Sequence, residues 1–427
     1  MSKVAVVSCP GYEPGEVLSA VRSALAHLGG LERFVKPGMK VLLKPNLLLA
    51  KRPEVAATTH PAVVQAVATL VRQAGGIVTI ADSPGGPYLA SSLRSVYRAT
   101  GMEQVAQETG AALNYDLADV EVACPSAKLL RRIPILKPIA EADLVINLPK
   151  LKTHSQMIYT GAVKNMFGAI PGTAKIEYNM RLAESDRFAD ALIDIFFAAR
   201  PALTIMDAVI GMDGAGPSAG DARQIGVILA SEDAFALDFA ALQIVGANPA
   251  GVPVMVAAMR RGLCPKSGAM LPSAEACSRA PEQRRHASAD GSMAPGEIEI
   301  VGRAIQDVRV KQFNMPGTDA MLAVTWSHSK LLQSFANRVK PRPAFIHDIC
   351  TGCGICGKSC PAQVITMCGG KPRADLEKCI RCFCCQELCP SRAVKIKRLP
   401  QALSSVLRIV FFLASMLWAR THGKAEP

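Results

Sequence analysis

The chain has 427 residues, half of them apolar and 19% charged, which excludes a wholly disordered polypeptide and, at roughly 150 residues per domain, predicts two or three domains. The formal charge of +13 is uneven: residues 1–339 hold 34 Lys and Arg against 30 Asp and Glu, whereas residues 340–427 hold 14 against 5. Ten of the 14 cysteines fall between Cys350 and Cys389, and the opening MSKVAVVSCPGYEPGE does not read as an export signal, so metal-bound thiolates in a reducing compartment fit better than a disulfide scaffold.

Short apolar runs at Lys3–Ser8, Val41–Leu43, Ile77–Ala81, Leu144–Asn147, Leu203–Asp207 and Ile225–Ala230 predict buried strands. Amphipathic stretches at Val17–Leu28, Pro61–Ala74 and Phe188–Ala199 predict helices between several of them. Pro61 suits a first helical turn and Gly75–Gly76 a helix stop. Phe235–Val245 and Pro253–Arg261 read as two further helices. This alternation predicts an α/β fold, an open and mostly parallel sheet with helices on both faces.

Residues 265–295, rich in Pro, Ser and Arg, read as a long loop, and Glu297–Gly302 and Val308–Phe313 as two short strands. The α/β domain is thus expected over 1–326 and a linker over 327–343. A small α+β ferredoxin-like domain with two [4Fe-4S] clusters follows over 344–398, then an apolar helix and tail over 399–427.

The cysteines form a duplicated run. Cys350-x2-Cys353-x2-Cys356-x3-Cys360-Pro361 recurs 29 residues later as Cys379-x2-Cys382-x2-Cys385-x3-Cys389-Pro390. This is the bacterial pattern for two-cluster ferredoxins, in which the fourth cysteine of each run ligates the other cluster. One cluster is therefore expected on Cys350, Cys353, Cys356 and Cys389, and the other on Cys379, Cys382, Cys385 and Cys360. Zinc sites more often show two paired CxxC units than three closely spaced cysteines with a Cys-Pro. Cys368 and Cys384 are left over, since Cys384 as a ligand would break the x2 spacing. Two oxidised cubanes of about −2 each would offset much of the basic excess in this part, and nothing points to nucleic acid.

Polar residues cluster where predicted strands end. Lys44 and Asn46 follow Val41–Leu43, and Asp82 follows Ile77–Ala81. Lys150, Lys152 and His154 follow Leu144–Asn147, and Asp207 and Asp213 follow Leu203–Met206. Ligands of open α/β sheets bind outside the carboxyl ends of the strands, so these residues are expected to line a pocket. If extended, Lys150, Lys152 and His154 would face one side and suit an anionic group, with His154 as an acid or base. Gly161-Ala-Val-Lys164-Asn165 adds two more candidates. Lys152, His154 and Lys164 are the catalytic candidates; Lys44, Asn46, Lys150, Asn165, Asp207 and Asp213 are the substrate-binding ones. The glycine segment Gly214-x-Gly216-x3-Gly220 has neither dinucleotide-binding nor phosphate-loop spacing. No Gly-x-Ser-x-Gly elbow is present.

The segments Lys44-Pro-Asn46, Asn147-Leu-Pro-Lys-Leu-Lys-Thr-His154, Gly161–Gly168, Gly211–Pro217 and Ser231–Asp238 resemble the family called domain of unknown function 362. The resemblance covers most of residues 1–400 and implies iron–sulfur clusters without supplying a substrate. Glu232-Asp233-Ala234 departs from the Asp-Pro-Val-like stretch expected there. His154 with Gly161-Ala-Val-Lys164 and Pro171-Gly172 is also similar to nickel-pincer lactate racemases, in which such a Lys holds the cofactor.

Ala402–Ala419 is apolar, with Lys395, Lys397 and Arg398 before it and Trp418 and Arg420 at its end. Eighteen helical residues span about 27 Å, just short of a bilayer core. The segment therefore reads either as a peripheral membrane contact or as a helix packed on protein. These features together lead to an expected iron–sulfur oxidoreductase, cytoplasmic or bound at the inner membrane face. It would exchange electrons with a redox partner protein and act on a small molecule. A non-catalytic electron carrier or adaptor, and a racemase-like enzyme with accessory clusters, are the competing expectations.

Overall fold

The computed structural model describes residues 2–85, 88–182, 184–264, 297–316 and 341–397. The expected loop over 265–295, most of the linker over 327–343 and the apolar segment over 399–427 lie outside the described residues. Two compact units divide the chain, Met1–Met315 and Pro316–Pro427.

The first unit begins with β1 (Ser2–Ser8), α1 (Pro14–His27), β2 (Lys40–Pro45), α2 (Pro61–Gln73) and β3 (Ile77–Ile80). Next come α3 (Ala90–Ala99), α4 (Met102–Thr109), β4 (Ala112–Leu113), a hairpin of β5 (Asp119–Ala123) and β6 (Arg132–Leu136), and α5 (Lys137–Ala140). Strands β7 (Leu144–Leu148), β8 (Lys150–His154) and β9 (Ile158–Thr160) lead into α6 (Ala162–Asn165), α7 (Gly172–Arg181) and α8 (Ser185–Ala199). The unit closes with β10 (Leu203–Asp213), β11 (Asp221–Ser231), α9 (Ala234–Ile244), α10 (Pro253–Arg260), β12 (Ile298–Gly302) and α11 (Ile305–Val308).

The main sheet runs β12-β1-β11-β10-β7-β2-β3-β4, with β8 attached to β10 and β9 to β8. Along the main path only β11 runs against its neighbours. Period-two alternation sorts the strand side chains between two cores. Val4, Val6, Leu42, Val145 and Met206 enter one core with α6 to α10. Ala5, Val41, Leu43, Ile146 and Ile205 enter the other with α1 to α4. Helices therefore cover both faces, which is why the strands read as continuous apolar runs.

Chain direction then fixes where a site can form. From β2 the chain crosses to β3 on the α2 side; from β7 it crosses to β10 on the α8 side. The strand order reverses between β2 and β7, and a crevice opens at such a switch point beyond the carboxyl ends. Lys44, Asn46, Asn147 and Lys150 lie there.

Two differences from the sequence expectation concern short elements. Val308–Phe313 is not a strand: α11 ends at Val308, the following residues are irregular, and Val310 N–H donates to Ile244 O of α9 at 2.8 Å. Its apolar alternation reflects packing of Val308, Val310 and Phe313 on the first core without a ladder. Strand β10 also runs six residues past Asp207, so Asp207 lies within a strand, and the glycine segment connects β10 to β11.

The second unit is a repeat in structure as well as sequence. Strand β13 (Arg342–Phe345), α12 (Ile355–Lys358) and β14 (Ile365–Cys368) recur 29 residues later as β15 (Lys371–Ala374), α13 (Cys384–Glu387) and β16 (Val394–Lys397). Left-handed residues recur at the same interval: Gly352 and Arg381, Gly354 and Phe383, Gln363 and Arg392. The halves exchange strands, β13 pairing with β16 and β14 with β15, each antiparallel. Strand β13 begins at Arg342, so the last two residues of the expected linker belong to this module.

Candidate functional site

In the C-terminal module, Cys350, Cys353, Cys356 and Cys389 line one hollow together with Phe345, Ile355, Met367 and Val394. Cys379, Cys382, Cys385 and Cys360 line a second with Val364, Ile365, Ile380 and Phe383. Each hollow thus takes three cysteines from one loop and the fourth from the other copy. The left-handed residues between the cysteines curl each loop round its hollow. Cys384 lines neither hollow.

The donor set fits a cubane and does not fit a single ion. Among the described residues, no three Cys, His, Asp or Glu side chains converge as a mononuclear site requires. The thiols are instead spread round apolar hollows, as an iron behind each thiolate needs. Burial pushes the thiols of Cys356, Cys379 and Cys385 up, whereas the neighbouring Cys384 thiol holds that of Cys382 down. At Cys389 the sulfur accepts from Ala393 N–H at 3.2 Å, a fixed donor to one ligand.

In the first unit the candidate residues form three polar groups inside the carboxyl end of the sheet. Lys44, Lys150 and Lys152 are each only 1% exposed. Lys44 Nζ meets Asp82 Oδ1 at 2.6 Å, and Asp82 Oδ2 accepts from Leu47 N–H at 2.7 Å. Gly168 makes room for this pair, since a Cβ there would stand 2.0 Å from Asp82 Oδ1. Lys150 Nζ donates to Asp207 Oδ2 at 2.8 Å and to Tyr12 Oη at 2.8 Å. Tyr12 donates in turn to Asp207 Oδ1 at 2.8 Å, and His60 N–H donates to Asp207 Oδ2 at 2.9 Å. Burial lowers the pKa of both Lys44 and Lys150, and the adjacent carboxylates oppose it.

The third group is a relay of amides. Lys152 Nζ donates to Asn46 Oδ1 at 2.9 Å and also to Ala57 O. Asn46 Nδ2 donates to Asn165 Oδ1, and Asn165 Nδ2 to Asn147 Oδ1, each at 2.8 Å. Asn147 Nδ2 donates to Ala162 O at 2.9 Å. Asn46 thus holds the ammonium and is itself held through Asn165 and Asn147.

Lys150, Lys152 and His154 lie on one extended strand, as expected, and all are buried. His154 Nδ1 accepts from the N–H groups of Gln156 and Met157, both at 3.1 Å, so the neutral ring carries its proton on Nε2. Lys164 is half-buried on α6. That short helix is held by Asp238, whose Oδ1 accepts from Ala162 N–H at 2.7 Å and whose Oδ2 accepts from Val163 N–H at 3.1 Å. Burial pushes the Asp238 carboxyl up to about 7. The structure brings Lys44, Asn46, Lys150, Lys152, Asn165 and Asp207 into these groups. Asp213 is apart from them, near the end of β10, accepting from Asn314 N–H at 3.2 Å.

Four participants were absent from the candidate residues: Tyr12, His60, Asn147 and Asp238. Tyr12 stacks on His60 with ring centroids 3.5 Å apart. His60 is a helix cap, its Nδ1 accepting from Ala62 N–H at 3.2 Å, and burial holds its pKa down at about 4. The one signal for His60 was its place before the first-turn Pro61. Asn147 and Asp238 stood in quoted family-like runs, those ending at His154 and at Asp238 itself, while Tyr12 carries no local signal.

Asp207 is the compensating charge for Lys150, so Asp207→Ala should destabilise the first unit by about 3–5 kcal/mol, the usual cost of stranding one member of a buried pair. Denaturant unfolding followed by circular dichroism measures this. A loss below about 1 kcal/mol would mean that Lys150 reaches solvent.

A family model described as domain of unknown function (DUF362) matches residues 41–243, and one described as a 4Fe-4S dicluster domain matches residues 342–390. A thylakoid-associated protein of Synechocystis sp. is 38% identical over 268 residues, 62% of this chain and 81% of that protein. Among solved structures, the lactate racemase apoprotein of Thermoanaerobacterium thermosaccharolyticum aligns with a TM-score of 0.37 at 15% identity, over 58% of this chain and 57% of that one. A Thermotoga maritima protein aligns with a TM-score of 0.33 at 12% identity, over 53% of this chain and 57% of that one. The chain thus spans less than two thirds of either solved structure. With a 4Fe-4S domain following its α/β unit, the chain belongs to the DUF362 family.

Proposed function

We propose that this protein is an iron–sulfur oxidoreductase carrying two [4Fe-4S] cubanes. One sits on Cys350, Cys353, Cys356 and Cys389, the other on Cys379, Cys382, Cys385 and Cys360. The observation that carries this reading is the pair of four-cysteine hollows with exchanged fourth ligands. When bound, the clusters supply one-electron transfer. In the first unit, the amide relay orients the Lys152 ammonium, a charge suited to an anionic substrate group. His154, whose Nδ1 is occupied by two backbone donors, presents its Nε2–H as a hydrogen-bond donor to a substrate acceptor.

Anaerobically reconstituted protein should contain eight iron and eight sulfide per chain. Cys384→Ser should leave that count unchanged, whereas Cys385→Ser should lower it. A wild-type count near four, or zinc in place of iron, sinks the two-cluster reading.

The α/β site has a separate test. His154→Gln and Lys164→Met should keep the visible cluster absorbance, because the cluster ligands belong to the other unit. They should lose any small molecule that co-purifies with the native protein, as read by mass spectrometry of the denatured eluate. Variants that retain it would place the substrate elsewhere.

A peripheral membrane association is also proposed. Its supports are the apolar run Ala402–Ala419 with its basic collar and the name of the thylakoid-associated relative. No described helix is long and apolar enough to cross a membrane. Removal of residues 400–427 should shift the protein from the membrane to the supernatant fraction and leave both clusters bound. High salt should do the same to the full chain, because it screens the collar. Membrane retention until detergent is added would contradict a peripheral contact.

A further inference from the structure

The 29-residue repeat makes each cluster set a control for the other. The two are not equivalent. In the second set Cys382 and Cys385 are 8% and 7% exposed. In the first, Cys353, the counterpart of Cys382, is exposed. Ile349, Ile355 and Met367 around it are 48%, 37% and 37% exposed. The charges differ as well. Lys371 Nζ donates to the carbonyl of Cys350 at 2.9 Å and to that of His347 at 2.7 Å, which fixes an ammonium against the first ligand loop. Its counterpart, Arg342, is exposed and makes no corresponding bond. Lys358 on α12 corresponds to Glu387 on α13, and Glu387 acts on Cys382 and Cys384 as a negative charge. The second set has cations too: Arg381 beside Cys379, which Glu387 opposes, and Lys378, which pairs with Asp375 at 3.5 Å.

Reduction adds one negative charge to a cubane. A fixed cation and contact with water favour that charge; burial and a carboxylate oppose it. We infer that Lys371 and solvent contact make the Cys350 cluster the higher-potential member of the pair, and the one through which electrons are exchanged with the surroundings. This rests on the two-cluster reading given above. The exchange is one electron from a reduced one-electron carrier to the oxidised cubane, or the reverse, with no bond made or broken and no proton moved. Between the clusters, electrons run downhill from the buried set to the exposed one.

The test is a redox titration of the full, iron-loaded chain, followed by electron paramagnetic resonance with reduced methyl viologen as the carrier. Wild type should show two reduction steps. Lys371→Met should lower the higher one by about a tenfold change in its reduction equilibrium, ~59 mV for one electron, and leave the lower one in place. Lys371→Arg should restore it, and Arg342→Met, the counterpart change, should move neither. Where Lys371→Met costs iron, Glu387→Gln carries the same test by raising the lower step alone. Eight irons with a single shared potential, or a Lys371→Met shift in the lower step or in neither, would overturn the inference. A count of four irons would instead remove the two-cluster reading beneath it.

Discussion

Three ammonium groups sit inside the carboxyl end of a parallel sheet, and the local fold is arranged to keep them there. Burying a charge costs several kcal/mol unless it is paired and its remaining hydrogen-bonding capacity is met. Lys44 and Lys150 meet that condition with Asp82 and Asp207. Each carboxylate is anchored by a backbone N–H from another segment, Leu47 for Asp82 and His60 for Asp207. The loops after β1, β2 and β3 are thereby tied to strands β2, β8 and β10. Lys152 is held differently among the bonds described, by amide and carbonyl oxygens.

The same economy of partners explains why α6 is so short and so fixed. Gly161 stands where a Cβ would lie 2.0 Å from Asp238 Oδ1. Asp238 can therefore reach the first N–H groups of the helix, and the helix presents Asn165 to the relay and Lys164 beside it. A carboxyl raised to about 7 by burial is retained here because three donors, including Tyr159 Oη–H at 3.2 Å, converge on it.

The fold was largely legible because its strands are buried on both faces and its main helices carry Pro at the first turn or Gly after the last. The grouping of the cysteines round two hollows was legible because the exchange of the fourth cysteine is written into the spacing. What was not legible has physical causes. Helices α3 and α4 bury few apolar residues, Leu93, Val96 and Tyr97 on the first and Met102 and Val105 on the second, so little apolar sequence marks them. Val308–Phe313 alternates like a strand but satisfies its packing on α9. The lysines were found by their place after strands, but their partners were not, because Tyr12 and Asp207 are 195 residues apart and only the sheet order makes them neighbours.

The repeat in the C-terminal unit separates what cluster binding demands from what it leaves free. Cysteines, the prolines after Cys360 and Cys389, left-handed positions and strand register recur at 29 residues. Ile349 against Lys378, Ile355 against Cys384, and Lys358 against Glu387 do not. Ligation fixes the first group, since a cubane needs three thiolates from one curled loop and a fourth from across the pseudo-axis. The second group touches only the electrostatics and wetting of each cluster. A module whose two halves were wholly alike would hold its electrons with equal affinity at both sites. With both cubanes bound as proposed, the differences at these few side chains would give the pair a direction.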